Sequence, residues 1–148
     1  MDVSIITTAI LGGSGILITF FYNRHNRRLA HDKMEKDLFT ECNRRYDALN
    51  EYLEEIVKFQ NIEELNNYTG EVNLRYKLND YFNLCAEEYY WYKKKRIDNK
   101  IWESWEEGMN SWYNNHAIIR EVWELELKNY GHRTFYMNNG DSFFRRKQ

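Results

Sequence analysis

Residues 101–131 read IWESWEEGMNSWYNNHAIIREVWELELKNYG, and their spacing decides the fold class. Trp102, Trp105, Met109, Trp112, His116, Ile119 and Trp123 alternate steps of three and four without a miss. Side chains at those steps share one face of an α-helix. Leu127 and Tyr130 extend the stripe by a turn, and Gly131 is placed to end the helix as a C-cap. The spacing predicts one helix buried along its tryptophan face. A base-stacking platform would need exposed rings interleaved with basic residues. Glu103, Glu106 and Glu107 flank these rings instead, which favours a core. His116 lies in the stripe and reads as a satisfied core histidine.

Upstream, Leu78, Phe82, Cys85, Tyr89 and Tyr92 mark the buried face of a preceding helix. Lys93, Lys94, Lys95 and Arg96 fall in its last turn, where cations favour the negative end of the helix. Asp98-Asn99 is the turn, and either residue can cap the next helix. Glu87 and Glu88 sit beside the run Tyr89-Tyr90-Trp91-Tyr92, so a carboxylate there can be buried and hydrogen-bonded to a tyrosine. No partner base accompanies them, which argues against a paired-carboxylate mechanism. Residues Gln60 to Asn73 read as a loop broken by Asn66-Asn67 and Gly70. Before it, Phe39, Cys42, Tyr46, Leu49, Leu53 and Ile56 form a heptad-like apolar seam. Between Tyr22 and Lys36 the pattern is polar and reads as a juxtamembrane turn of helix or a hinge. If Val3 to Phe59 is one helix, it is ~85 Å long at 1.5 Å per residue.

Composition agrees with an all-α chain. Proline is absent and glycine occurs seven times in 148 residues, which favours long helices. Aromatics at 17% argue against disorder. A formal charge of −2 disfavours a strongly basic nucleic-acid binder. Two cysteines, Cys42 and Cys85, exclude a disulfide framework and a cysteine-only zinc site; both are expected to be buried and inert. No repeat, phosphate-binding glycine loop or low-complexity tract is present.

The N-terminus differs from the rest. Val3 to Tyr22 are twenty positions without a charge, enough helix to cross a bilayer core. No Lys or Arg precedes the run, so it does not read as a cleaved signal peptide. Arg24, Arg27, Arg28 and Lys33 follow it, which places the bulk of the chain on the cytoplasmic side and the N-terminus outside. The expected organisation is a transmembrane helix over residues 1–23 and a cytosolic helical domain over 24–148. Together they predict an all-α fold: one span, a long following helix and two further helices packed as an antiparallel bundle. The span is two-faced. Ser4, Thr8, Gly12, Gly15, Thr19 and Tyr22 fall in one narrow arc, opposite Ile5, Ile6, Ile10, Ile16, Leu17, Phe20 and Phe21. The small arc suits close helix packing in a dimer, or the lining of a pore. A pore requires a ring: at ~9–10 Å between helix axes, four spans leave almost no lumen and roughly eight leave one several ångströms in radius.

Catalytic signals are sparse. His25, His31, His116 and His132 show no metal-ligand spacing with cysteine or carboxylate, so neither a metal nor a cofactor is expected. Arg24 and His31, six positions intervening, resemble the R-x(4–6)-H motif of HEPN ribonucleases. In that family the histidine serves as general acid or base and the arginine stabilises phosphate charge. Here the motif lies early in the chain and next to the expected bilayer, unlike HEPN enzymes. Arg24, Arg27 and Arg28 suit lipid phosphates or a pore mouth equally well. The tail, ending Ser142-Phe143-Phe144-Arg145-Arg146-Lys147, is basic and aromatic. It can return to the membrane surface, dock on a neighbour or fray.

One N-terminal span, an R-x(6)-H pattern and a compact helical domain together resemble the small membrane accessory proteins of type VI-B CRISPR systems. The stretch from Tyr81 to Tyr92, followed by Trp102, Trp105, Gly108 and Met109, is also similar to widespread uncharacterised bacterial membrane proteins. The first resemblance implies a homo-oligomeric ring in the inner membrane. It implies depolarisation after an RNA-guided ribonuclease has been triggered, with Ser4, Thr8, Gly12, Gly15 and Thr19 lining the lumen. Direct RNA binding is left open by it. The expected function is a non-enzymatic permeability effector in antiphage defence. The alternatives are a membrane-tethered HEPN-like ribonuclease using Arg24 and His31, and a membrane-anchored interaction scaffold.

Overall fold

A computed structural model describes residues 3–146 of the chain, with side chains from residue 18 onward. Helices account for 77% of the chain, and no strand occurs among the described residues. The elements are α1 (Val3–Ile56), α2 (Ile62–Asn66), α3 (Leu74–Lys93), α4 (Asn99–Asn115), α5 (Ala117–Tyr130) and a 3-10 turn (His132–Phe135). Two compact units divide the chain, Met1–Asp37 and Leu38–Gln148. Of the two readings for Tyr22 to Lys36, juxtamembrane helix or hinge, the structure has the helix: the stretch is continuous within α1. Among the described residues no helix is long and apolar enough to cross a membrane. The side chains of the expected span lie outside the described residues up to position 17.

In the second unit the expected seam is largely present: Cys42, Leu49, Leu53 and Ile56 are buried, while Phe39 at its start is exposed. Polar side chains start each following helix. Asn61, Asn73 and Asp98 accept the N–H of Glu64, Tyr76 and Lys100 and so cap α2, α3 and α4. The cap at Asp98 is where the sequence puts it. The loop expected over Gln60 to Asn73 contains the short α2. Helix α3 ends in a Schellman pattern: Arg96 N–H bonds to Trp91 O at 3.0 Å and Lys95 N–H to Tyr92 O at 2.8 Å. Lys95 takes the left-handed position, φ 55°, that glycine usually fills.

The single tryptophan helix is two helices. His116 is extended (φ −126°, ψ 111°), so α4 stops there and α5 restarts. Asn114 and Asn115 before it are poor helix formers. The Arg120 guanidinium donates to the carbonyls of Tyr113 and Asn114 at 2.9 and 2.7 Å, satisfying the open end of α4. The bundle therefore has three helices after α1, plus the short α2, where two were expected. His116 is half-buried at the junction against the Trp112 ring, outside the core. Gly131, φ 77°, ends α5 as predicted, but Tyr130 is exposed.

The tail neither frays nor reaches out over the described residues. It folds back into its own domain. Phe143 and Phe144 are 0% and 4% exposed and pack on Trp123 at 4.9 and 5.2 Å between ring centroids. Trp123 also meets Phe82 at 5.1 Å and Phe135 at 4.7 Å, so its ring joins α3, the 3-10 turn and the tail in one aromatic core.

Candidate functional site

Two regions carry unusual chemistry. The first is on α1 in the N-terminal unit. Ile18, Phe20, Phe21 and Tyr22 are 59–69% exposed, four large apolar side chains in five positions. Arg24, Arg27, Arg28 and Lys33 follow on the same helix, all exposed. Arg28 makes one long contact to Asp32, 3.9 Å, with both side chains mostly in solvent. Such a contact adds little. Four exposed apolar side chains thus give way to four exposed cations along one helix.

Arg24 and His31 both lie on α1, Arg24 exposed and His31 half-buried. Seven positions on a helix are ~10 Å along the axis and return to nearly the same face. Thr19 is exposed; Ser4, Thr8, Gly12 and Gly15 lie outside the described side chains. Among the described residues no group of three histidine, cysteine or carboxylate side chains is placed to hold a metal.

The second region is a cleft of about 190 Å³ in the bundle, where α1, α3 and α4 meet. Helix α1 contributes Asn43 and Tyr46, α3 contributes Tyr81, Leu84 and Glu88, and α4 contributes Ser104, Trp105, Gly108 and Met109. The α3 residues fall at i, i+3 and i+7 and so form one stripe. Ser104 and Gly108 are exposed and open the cleft to solvent, whereas Tyr81, Leu84, Glu88 and Met109 are buried. A Cβ built on Gly108 would meet nothing within 4 Å.

The polar groups of this cleft are unevenly satisfied. Trp105 Nε1–H donates to Asn43 Oδ1 at 3.1 Å, and Trp112 Nε1–H to the Tyr46 hydroxyl at 2.8 Å. One face of Trp105 stacks on Phe39 at 6.1 Å. Glu88, 5% exposed, accepts no hydrogen bond from the described residues. Burial pushes its carboxyl up to about 8; Arg45 nearby opposes the shift and Glu87 adds to it. Arg45 is itself held by Glu87 in a two-pronged pair, 2.6 and 3.2 Å. The Tyr81 hydroxyl, 1% exposed, lies beside the Cys85 thiol one turn on; burial raises it, and Cys85 adds to the shift.

The tyrosine run beside Glu87 and Glu88 suits a buried carboxylate hydrogen-bonded to a tyrosine. The burial is present at Glu88, but the hydrogen bond is not. Glu87 is the partly exposed member, committed to Arg45. Adjacent positions on a helix point ~100° apart, so only one of the two can face the core. The signal that identifies Glu88 was available in its register with Leu84 and Tyr81. Cys42 and Cys85 are free and buried, as expected. Burial pushes the Cys42 thiol up to about 12 and that of Cys85 up as well.

No family model, no curated protein and no solved structure matches the chain.

Proposed function

We propose that the chain is a single-span inner-membrane protein, N-terminus outside, whose cytoplasmic helical domain serves a homo-oligomeric permeability effector in antiphage defence. The observation that supports the anchor is the junction on α1. Ile18, Phe20, Phe21 and Tyr22 expose their side chains, and Arg24, Arg27, Arg28 and Lys33 follow directly. Four large apolar groups left in water lose the stabilisation of burial, ~1.5–3 kcal/mol each. Lipid supplies that burial, and the arginines meet the headgroup phosphates. The uncharged run from Val3 extends the apolar side to bilayer length.

The permeability step rests on the arc of Ser4, Thr8, Gly12, Gly15 and Thr19, which needs a ring to enclose water. The deciding experiment is the mass of the detergent-solubilised particle, corrected for bound detergent, followed by membrane potential in cells expressing the chain. A ring of about six or more subunits that depolarises the membrane, with loss of depolarisation in Gly12→Leu and Thr8→Leu but not His31→Ala, supports the reading. A dimer, or a chain recovered in the soluble fraction, overturns it. RNA cleavage lost in His31→Ala with assembly intact moves the assignment to a tethered ribonuclease.

A further inference from the structure

The Glu88 cleft is independent of the membrane reading, because every lining residue belongs to the second unit. Its volume of about 190 Å³ equals the liquid share of about six waters. Folding has left a carboxyl there that is 5% exposed and accepts no hydrogen bond from the described residues, at a cost that an apolar side chain would avoid. Gly108, exposed at the cleft mouth, has open space where a side chain would start.

The lining identifies the chemistry of the occupant. Glu88 is its only carboxyl, and no Lys, Arg or His lines the cleft. An anion would find no counter-charge, and a wholly apolar ligand would leave Glu88 unpaired. The walls are aromatic: Tyr46, Tyr81 and Trp105. Aromatic faces around a carboxylate attract an ammonium or guanidinium group through the ring quadrupole and through direct charge. Trp105 is held for this by its bond to Asn43 and by Phe39 behind it. Leu84 and Met109 accept an apolar stem.

We propose that the cleft between α1, α3 and α4 binds the cationic head of a small amphipathic amine or guanidine. The Glu88 carboxylate is the counter-ion and Trp105 with Tyr46 the aromatic wall. The cation then supplies the partner that the protein withholds from Glu88.

Binding is linked to a proton. Glu88 is protonated in the empty cleft below about pH 8 and must release that proton to meet a cation. The other titratable groups around it are Arg45, Cys42 and Tyr46 on α1, and Tyr81, Cys85 and Glu87 on α3; α4 lines the cleft with none.

The test uses the full chain in a non-ionic detergent, n-butylammonium as probe and n-butanol as its neutral isostere. Calorimetry in two buffers of different ionisation enthalpy reads both affinity and proton release. The expected result is saturable n-butylammonium binding with a dissociation constant on the order of 1 mM. Affinity rises about tenfold per pH unit from 6 toward 8 with release of one proton, then levels off. Glu88→Gln, which keeps the shape, loses the proton release and at least tenfold in affinity. Gly108→Leu, which fills the mouth, loses binding while keeping its helical circular dichroism. Equal binding of n-butanol, full affinity in Glu88→Gln, or no saturable binding at any pH overturns the proposal.

Discussion

The side-chain carbonyl of Asn110 accepts the backbone N–H of Arg145 at 2.6 Å, joining mid-α4 to the last described residues of the chain. Asn114, one turn on, donates to the carbonyl of the same Arg145 at 2.9 Å. Two asparagines thus hold one residue by both backbone groups. The Arg145 side chain adds an ion pair to Glu106 at 2.8 Å. This clasp keeps Phe143 and Phe144 seated on Trp123.

The tail is therefore part of the core. Phe144→Ala should lower the unfolding free energy by about 3–5 kcal/mol, the usual cost of emptying a buried aromatic site. Asn110→Ala should cost about 1–3 kcal/mol, since it strands the Arg145 N–H. Urea denaturation followed by tryptophan fluorescence measures both. A change below about 0.5 kcal/mol in Phe144→Ala would show that the tail is not seated.

Glu88 makes stability depend on pH in a defined direction. The folded chain holds the Glu88 proton to about pH 8, whereas the ordinary value is 4.5. Between those values the native state binds more protons than the unfolded chain. The contribution of this group is full below about 4.5 and is lost as pH rises through 8, at up to about 1.4 kcal/mol per pH unit. Glu88→Gln should be more stable than the parent at pH 8 and should flatten that slope. Parallel stability-versus-pH curves for the two proteins would refute the assignment.

Lys95 occupies a left-handed position at the end of α3. Lys95→Gly should therefore stabilise the domain by up to about 1 kcal/mol, because the Schellman turn favours glycine there. A thermal melt showing destabilisation would mean that the lysine side chain contributes more than the backbone loses.

Cys42 and Cys85 should resist a soluble thiol reagent at pH 8 in the folded chain and react fully in denaturant. Both are buried, and burial keeps Cys42 protonated up to about pH 12. Stoichiometric labelling of the native protein within minutes would show that the α1–α3 contact opens readily.

Much of this architecture is present in local sequence. The steps of three and four from Trp102 to Trp123 make helix, Asp98 caps α4, and Gly131 ends α5. The passage from Phe20-Phe21-Tyr22 to Arg24 is equally local, a matter of composition on one helix. These features depend on neighbours within a turn or two, and periodicity reports such relations directly.

Tertiary structure alone decided the rest. The tryptophan stripe runs through His116 without a change of period, yet the helix breaks there. Arg120 satisfies the freed carbonyls at the break. Phe143 looks like a surface arm until Trp123 offers it a seat. Glu88 differs from Glu87 only by register, but α1 and α4 close over one and leave the other to Arg45. Helix formation is set by bonds four residues apart, whereas the solvation of a carboxyl or a ring is set by residues many turns away in sequence, and that distance carries no period in the chain.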